Sequence, residues 1–300
     1  MIFTLTLNPS IDYVVHMDEF VSGMTNRTTK EEYYIGGKGI NVSCILAQLG
    51  IRSTAMGFTA GFTGAEIEKG LEKMGICSDF IRLENGISRI NIKLRADSES
   101  EINCQGPSVS DDELEQLIAK TARLKDGDTI ILAGSIPHTM PEDTYERILR
   151  SLEGRKIRII ADAAKQLLLS CLPFRPFLIK PNRQELSELF DRDVRDERDT
   201  ELCAYELMKL GARNVIVSLG GDGAVLFAED GKVYRSGTLN ERVLSTVGSG
   251  DSMVAGFLAG FLEKGDYGYA LKLGTACGNA TAFSSGLAGR EKIYEIFEKL

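Results

Sequence analysis

Four short runs, "DTIILAGS", "KIRIIAD", "PFLIKP" and "NVIVSLG", place aliphatic residues at consecutive positions, with helix-patterned segments around them. A strand with one solvated face alternates apolar and polar residues; a run without a polar side is buried on both faces. A parallel sheet covered by helices on each side buries its strands in this way. "IFTLTL" near the start and "STAMGF" further on fit the same pattern, and the second leads into the amphipathic "AEIEKGLEKMG". Each run is expected to be followed by a helix. No repeat and no low-complexity linker interrupts the alternation, and 300 residues can bury a full core, in one large α/β domain or in one domain with an appendage.

Two stretches depart from the alternation. Residues of about 12–35 and 87–105 are strand-like with no helix between them. In "SRINIKLR", Arg89, Asn91 and Lys93 fall on one face and Ile90, Ile92 and Leu94 on the other. Such a segment is either a half-exposed edge sheet or a small lid whose polar face meets a ligand.

Composition narrows the function. A net charge of −8 disfavours a nucleic-acid surface, which needs basic patches, while leaving room for small phosphorylated ligands. The longest apolar stretch, Met253–Leu262, is about half of the ~20 residues a membrane span requires. The opening residues read as a strand rather than a signal peptide, so a cytoplasmic protein is expected. Six cysteines without paired spacing read as small buried residues, and two histidines leave little for a histidine-rich metal centre.

Four stretches carry chemistry. "IGGKGINV" strips side chains from Gly36, Gly37 and Gly39 and adds the cation of Lys38; its structural alternative is a tight turn with Asn41 capping the next helix. "TVGSGDSMVAG" runs a glycine turn into an apolar helix, so the backbone N–H groups of Gly248, Ser249 and Gly250 form an anion site. Asp251 follows as an ordinary N-cap or as a general base. In "KPNRQEL", Asn182 and Glu185 are spaced as a capping pair, or they organise water around Mg²⁺. "VSLGGDGAVLF" is a hairpin or a turn laid against a nucleotide. Neither glycine turn completes a P-loop or a dinucleotide fingerprint, which argues against a Rossmann-type oxidoreductase.

In order along the chain, "TLNPSID", "GGKGINV", "AGSIP", "KPNRQEL", "VSLGGDGA" and "TVGSGDSMVAG" resemble the ribokinase-like (PfkB) carbohydrate kinases over essentially the whole length. "TLNPSID" with "GGKGINV" is most similar to the hexose-phosphate branch, the 1-phosphofructokinases and tagatose-6-phosphate kinases, and "SRINIKL" is similar to the first of these. The resemblance implies a single kinase domain over residues 1–300, a three-layer α/β/α sandwich with a mostly parallel sheet and a small β-sheet lid formed by about 12–35 and 87–105. It implies transfer of the ATP γ-phosphoryl to the 6-hydroxyl of fructose 1-phosphate, with tagatose 6-phosphate as the rival substrate. A catalytically silent nucleotide- or sugar-phosphate-binding regulator is the alternative of a different class.

Carried over by position, Asp251 is the base, and Gly248, Ser249 and Gly250 form the anion hole. Asp12, Gly37 and Asn41 hold sugar hydroxyls, while Lys38, Arg89 and Arg27 pair with the phosphate already on the substrate. Lys180, Asn182 and Glu185 face ATP and Mg²⁺; Ser218, Gly220, Gly223 and Asn279 line the nucleotide site. A homodimer through the lids is expected, because the isoleucines of "SRINIKL" need cover and the resemblance implies paired lids that supply it across a dimer. Thr139 in "AGSIPHT" and the turn "DAAK" ending at Lys165 depart from the family pattern, which questions substrate contacts there, Ser135 included.

Overall fold

The computed structural model describes residues 1–163 and 165–300. The chain opens with β1 (Ile2–Thr6), β2 (Ser10–His16), β3 (Lys30–Gly36), α1 (Lys38–Gln48), β4 (Thr54–Ala60) and α2 (Gly61–Lys73). It continues through β5 (Cys77–Ser78), β6 (Ile81–Leu83), β7 (Arg89–Arg95), β8 (Glu99–Ile102), α3 (Asp111–Thr121) and β9 (Thr129–Ala133). Next come α4 (Thr144–Arg150), β10 (Arg158–Asp162), α5 (Lys165–Cys171), β11 (Leu178–Ile179), α6 (Arg183–Phe190) and α7 (Glu197–Lys209). The last are β12 (Val215–Ser218), β13 (Ala224–Phe227), β14 (Val233–Ser236), α8 (Ser249–Lys264), α9 (Tyr267–Ala282) and α10 (Arg290–Lys299).

The main sheet runs β14-β13-β12-β11-β10-β9-β1-β4-β5, with β6 also on β4, and is parallel from β12 through to β5. Its strands are buried on both faces, as the unbroken apolar runs require. On β9, Ile130 and Leu132 join one core with α3, α4, α6 and α7; Ile131 and Ala133 join the other with α1, α8, α9 and α10. This is the expected three-layer sandwich. One expectation fails: "NVIVSLG" does not lead into a helix. β12 turns through a short 3₁₀ segment at Gly220–Asp222 and returns antiparallel as β13. The positive φ of Gly220 and Gly223 permits that reversal.

The second sheet has the order β3-β2-β7-β8, antiparallel except for the parallel pair β2–β7. Its registers put Asp12 beside Asn91 and Tyr34, so the polar face carries Asp12, Arg89, Asn91 and Lys93. On the other face Ile11 and Ile35 pack with Ile67 and Leu71 of α2, while Tyr13, Tyr33 and Ile102 are exposed. Four cysteines are buried as expected; Cys77 and Cys104 are exposed, because one lies on the short edge strand β5 and the other just past β8.

Candidate active site

The carboxyl ends of β1, β9, β10 and β11 open on the amino ends of α1 and α8, the place where open α/β sheets bind ligands. α8 begins here for a local reason. Gly248, its N-cap, has φ +78°, and a Cβ there would come within 2.7 Å of Leu287 Cδ2, so the turn takes glycine. The Ser252 hydroxyl donates to the Gly248 carbonyl and meets Thr281 Oγ1, which ties the turn to α9.

Asp251 is the third residue of α8 and caps nothing. Its Oδ2 accepts from Asn41 Nδ2 at 2.8 Å. Asn41 in turn is no cap, because α1 begins at Lys38 with Gly37 as N-cap; one turn in, the Asn41 side chain reaches across to α8. Asp251 is 5 % exposed. Burial raises its pKa most, the like charge of Asp162 adds to this, and Lys38, Asn41 and Lys180 offset part, leaving it pushed up to about 7.

Asp162 ends β10, is 3 % exposed, and lies between two ammonium groups. Lys38 Nζ is 3.5 Å from its Oδ2 and Lys180 Nζ is 3.5 Å from its Oδ1. Burial alone would raise its pKa, but Lys180 and Lys38 together outweigh that and hold the carboxyl below the usual range. Asp162 in turn raises the pKa of Lys38. Lys180 is itself buried, and its ammonium lies where a Cβ on Gly250 would be only 2.9 Å away. The positive end of α8 thus faces a buried cation, an arrangement that calls for anions. The Ser249 N–H is met by the Thr246 carbonyl at 3.2 Å, while the buried Ser249 Oγ has no hydrogen-bond partner.

The second sheet borders the site from the other side. Lys38 and Arg89 line one cavity of about 280 Å³ together with Thr6, Asn8, Gly37 and Ser135. Arg89 Nε donates to the Asn8 carbonyl at 3.0 Å, and burial lowers the guanidinium's pKa despite the field of Asp12. Asp12 and Asn41 open instead on a neighbouring cavity of about 430 Å³. Ser10 Oγ and Asn91 Nδ2 donate to Asp12 Oδ1, and Lys93 Nζ is 3.7 Å from its Oδ2. A larger cavity of about 760 Å³ beside α2 contains none of these residues. Its Arg82 and Glu68 neutralise each other, so its size carries no chemistry.

Beyond Lys180, Asn182 and Glu185 form a reciprocal capping box on α6, each backbone N–H donating to the other's side-chain oxygen at 2.8 Å. Asn182 also bridges to Ser218 at the end of β12, which sets Gly220 and Gly223 beside this segment. Asn279 lies on α9 against α8, buried, with Nδ2 unpartnered. Among the described residues no group of three or more His, Cys, Asp or Glu could hold a metal ion. The Glu185 oxygen outside the capping box and the Asn182 amide are the groups that would hold Mg²⁺ through water, where the ion would neutralise phosphate charge.

The structure therefore gathers Lys38, Asn41, Lys180, Gly248, Ser249, Gly250 and Asp251, flanked by Asp12 and Arg89 from the lid. It does not bring Arg27 there: this residue is exposed on the loop joining β2 to β3, at the end of the lid remote from Asp12. Thr139 has a structural task, accepting from the Val109 N–H at 3.0 Å, and Lys165 pairs with Glu188. The rest of "DAAK" includes Ala164, outside the described residues. The sequence reading gave Asp162 no role beyond opening the turn "DAAK" and placed Lys93 only on the polar face of the lid. The signal for Asp162 was its place directly after an apolar strand, at the carboxyl edge of the sheet.

Comparison with known proteins agrees with this geometry. The pfkB family of carbohydrate kinases matches residues 5–292. The chain is 40 % identical to the 1-phosphofructokinase of Bacillus subtilis, over 100 % of this chain and 98 % of that one. It is 38 % identical to the D-tagatose-1-phosphate kinase of Bacillus licheniformis, over 98 % of this chain and 96 % of the other. The crystal structure of phosphofructokinase-2 from Escherichia coli in complex with substrates and products superposes with a TM-score of 0.94 at 26 % identity, covering 100 % and 99 % of the two chains. The fold is ribokinase-like, the chain belongs to the pfkB family of carbohydrate kinases, and it is a phosphotransferase with an alcohol group as acceptor.

Proposed function

We propose that this sugar-phosphate kinase transfers the γ-phosphoryl of ATP to the 6-hydroxyl of fructose 1-phosphate, giving fructose 1,6-bisphosphate and ADP. The observation that carries the reading is the joint lining of one cavity by Lys38 and Arg89, cations from two different elements, a short step along α1 from the Asn41–Asp251 pair. A neutral sugar would leave Arg89 bonded only to a carbonyl and Lys38 sharing the single Asp162 carboxylate with Lys180; a phosphorylated one supplies the missing negative charge.

In this reading Asp251 takes the proton of the 6-hydroxyl as that oxygen bonds the γ-phosphorus and the bond to the ADP oxygen breaks. A base with a pKa of about 7 is matched to proton transfer at neutral pH. Asn41 holds the Asp251 carboxylate in place, and Asp12 accepts from sugar hydroxyls. The amino end of α8, with Gly248, Ser249 and Gly250, takes the charge of the moving phosphoryl, and Lys180 steadies the ATP phosphates. Ser218, Gly220, Gly223 and Asn279 line the nucleotide. Mg²⁺, held through water by Asn182 and Glu185, supplies charge neutralisation on the polyphosphate.

Exposed Tyr13, Tyr33 and Ile102 on the lid's second face support a homodimer in which two lids cover each other. In such a dimer Arg27 belongs to the interface end of the lid. Tagatose phosphates are the second reading, favoured by the similarity to a tagatose-phosphate kinase. ADP release from Mg·ATP against fructose 1-phosphate, fructose 6-phosphate, tagatose 1-phosphate, tagatose 6-phosphate and ribose tests both. A kcat/KM highest for fructose 1-phosphate is expected. A preference for a tagatose phosphate overturns the choice of sugar, and no turnover with any of them overturns the reading.

A further inference from the structure

Asp162 has no part in the scheme above, yet it is the most enclosed charged group at the site. Its Oδ2 is buried without a hydrogen-bond partner, and both neighbouring ammonium groups stand at 3.5 Å, just too far for short charge-assisted bonds. The position follows from the sheet. Ala161 pairs with Ile179, so the next residues, Asp162 and Lys180, leave adjacent strand ends side by side. Lys38 comes from the first residue of α1, on the other side of the same carboxylate.

We propose that Asp162 is a positioning residue for the phosphoryl transfer: its carboxylate holds the Lys38 and Lys180 ammonium groups at the reaction centre, around the Asn41–Asp251 pair. This rests on the reading of Asp251 as the base. The groups that face Asp251 from the elements packed around it are Asp162 on β10, Lys38 and Asn41 on α1, and Lys180 after β11. Of these, Asp162 alone disfavours the ionised form of Asp251. A neighbouring anion that stays ionised raises the proton affinity of a carboxylate, and Lys38 and Lys180 keep Asp162 ionised while Asp251 titrates. The two acids thus have divided tasks: one stays charged and tunes, the other exchanges a proton.

The division predicts what neutralising Asp162 does. In Asp162→Asn the Asp251 carboxyl loses its like-charged neighbour and keeps both cations, so it titrates lower. A ¹³C-carboxyl titration of the ligand-free protein, with the Asp251 signal assigned by its loss in Asp251→Asn, reads this without any substrate. The midpoint is expected to fall by about one pH unit or more, and the acidic limb of kcat to move down with it. Asp162→Asn leaves the buried Lys180 ammonium short of a counter-ion and could fail to fold. The paired variant Asp162→Asn with Lys180→Gln removes that problem, and its midpoint is read against Lys180→Gln alone, which has already lost the same cation, with the same fall expected. An Asp251 midpoint within about 0.3 units of its reference (the parent for Asp162→Asn, Lys180→Gln for the paired variant) overturns the proposal, since a purely structural Asp162 would leave the titration alone. Failure of the wild-type protein to phosphorylate any sugar phosphate would strike the proposed function instead, and the titration would still decide the coupling.

Discussion

Replacing Asp251 with asparagine is expected to make the protein more stable and almost inactive, with the gain in stability growing as the pH rises. The ordinary aspartate value is 3.8, and in the fold Asp251 is pushed up to about 7. Between those values the unfolded chain has released the proton while the native protein still holds it. Stability therefore falls as pH rises through this window, and the loss is complete above the native value. At about 1.36 kcal/mol per pH unit the deficit is roughly 1.5 kcal/mol at pH 5 and at most about 4 kcal/mol at pH 8. Asparagine has nothing to ionise, and its amide oxygen can still accept from Asn41, so the variant recovers most of that deficit. Urea unfolding of both proteins at pH 5, 6.5 and 8 measures it. The same variant should lose turnover by about 10² to 10⁴, the contribution of a positioned base. A stability gain equal at pH 5 and pH 8 would refute the account of the buried carboxylate. Turnover within tenfold of the parent would remove Asp251 from the role of base.

Arg89→Ala should raise the KM for the sugar phosphate by more than about tenfold and leave that for ATP nearly unchanged; Arg89→Lys should recover little, because an ammonium cannot donate to Asn8 and present a planar fork together. Equal KM values in parent and variant would place the phosphate elsewhere. Glu185→Gln separates the two roles of that residue, since glutamine keeps the capping box but not the charge. Its Tm should match the parent's while half-saturation by Mg²⁺ rises several-fold; a lowered Tm with an unchanged Mg²⁺ requirement would leave only the cap. Ile92→Asp puts a charge on the apolar face of the lid and should convert a dimer into monomers by light scattering, an outcome contradicted if the mass stays that of a dimer.

The layered fold was legible because it is written in local pattern. Strands such as "TIILA" have no polar face, and the amphipathic helices between them have one, so the sandwich follows before any contact is known. The lid's two faces were legible for the same reason, through strict alternation in "RINIKLR". What failed was information held in pairs. Asn41 and Asp251 are 210 positions apart, and nothing local to "GGKGINV" tells an asparagine that caps from one that reaches across to α8. The place of Asp162 at a strand end was legible in "KIRIIAD", but its role was not, because that depends on two lysines delivered by different elements. The hairpin after "NVIVSLG" was ambiguous because glycine turns serve both a reversal and the start of a helix.

The site is better recognised by what is unsatisfied in it than by its volume. In the 760 Å³ cavity beside α2, Arg82 and Glu68 cancel each other, and Thr59 donates to the same carboxylate. At the amino end of α8 the balance is left open. A buried ammonium faces the positive pole of a helix, the Ser249 hydroxyl and the Asn279 amide have no partners, and a half-buried guanidinium makes its bond to a carbonyl rather than to a carboxylate. Each of these raises the energy of the protein by itself. All of them are relieved by the same kind of guest, one rich in anionic oxygen. Among the carboxylates that such a guest would repel, Asp251 is the one whose proton affinity the surroundings have already raised. Approaching phosphates raise that affinity further, and Lys38, Lys180 and Asn41 work against the rise, so the base keeps its usefulness only while those three hold their places.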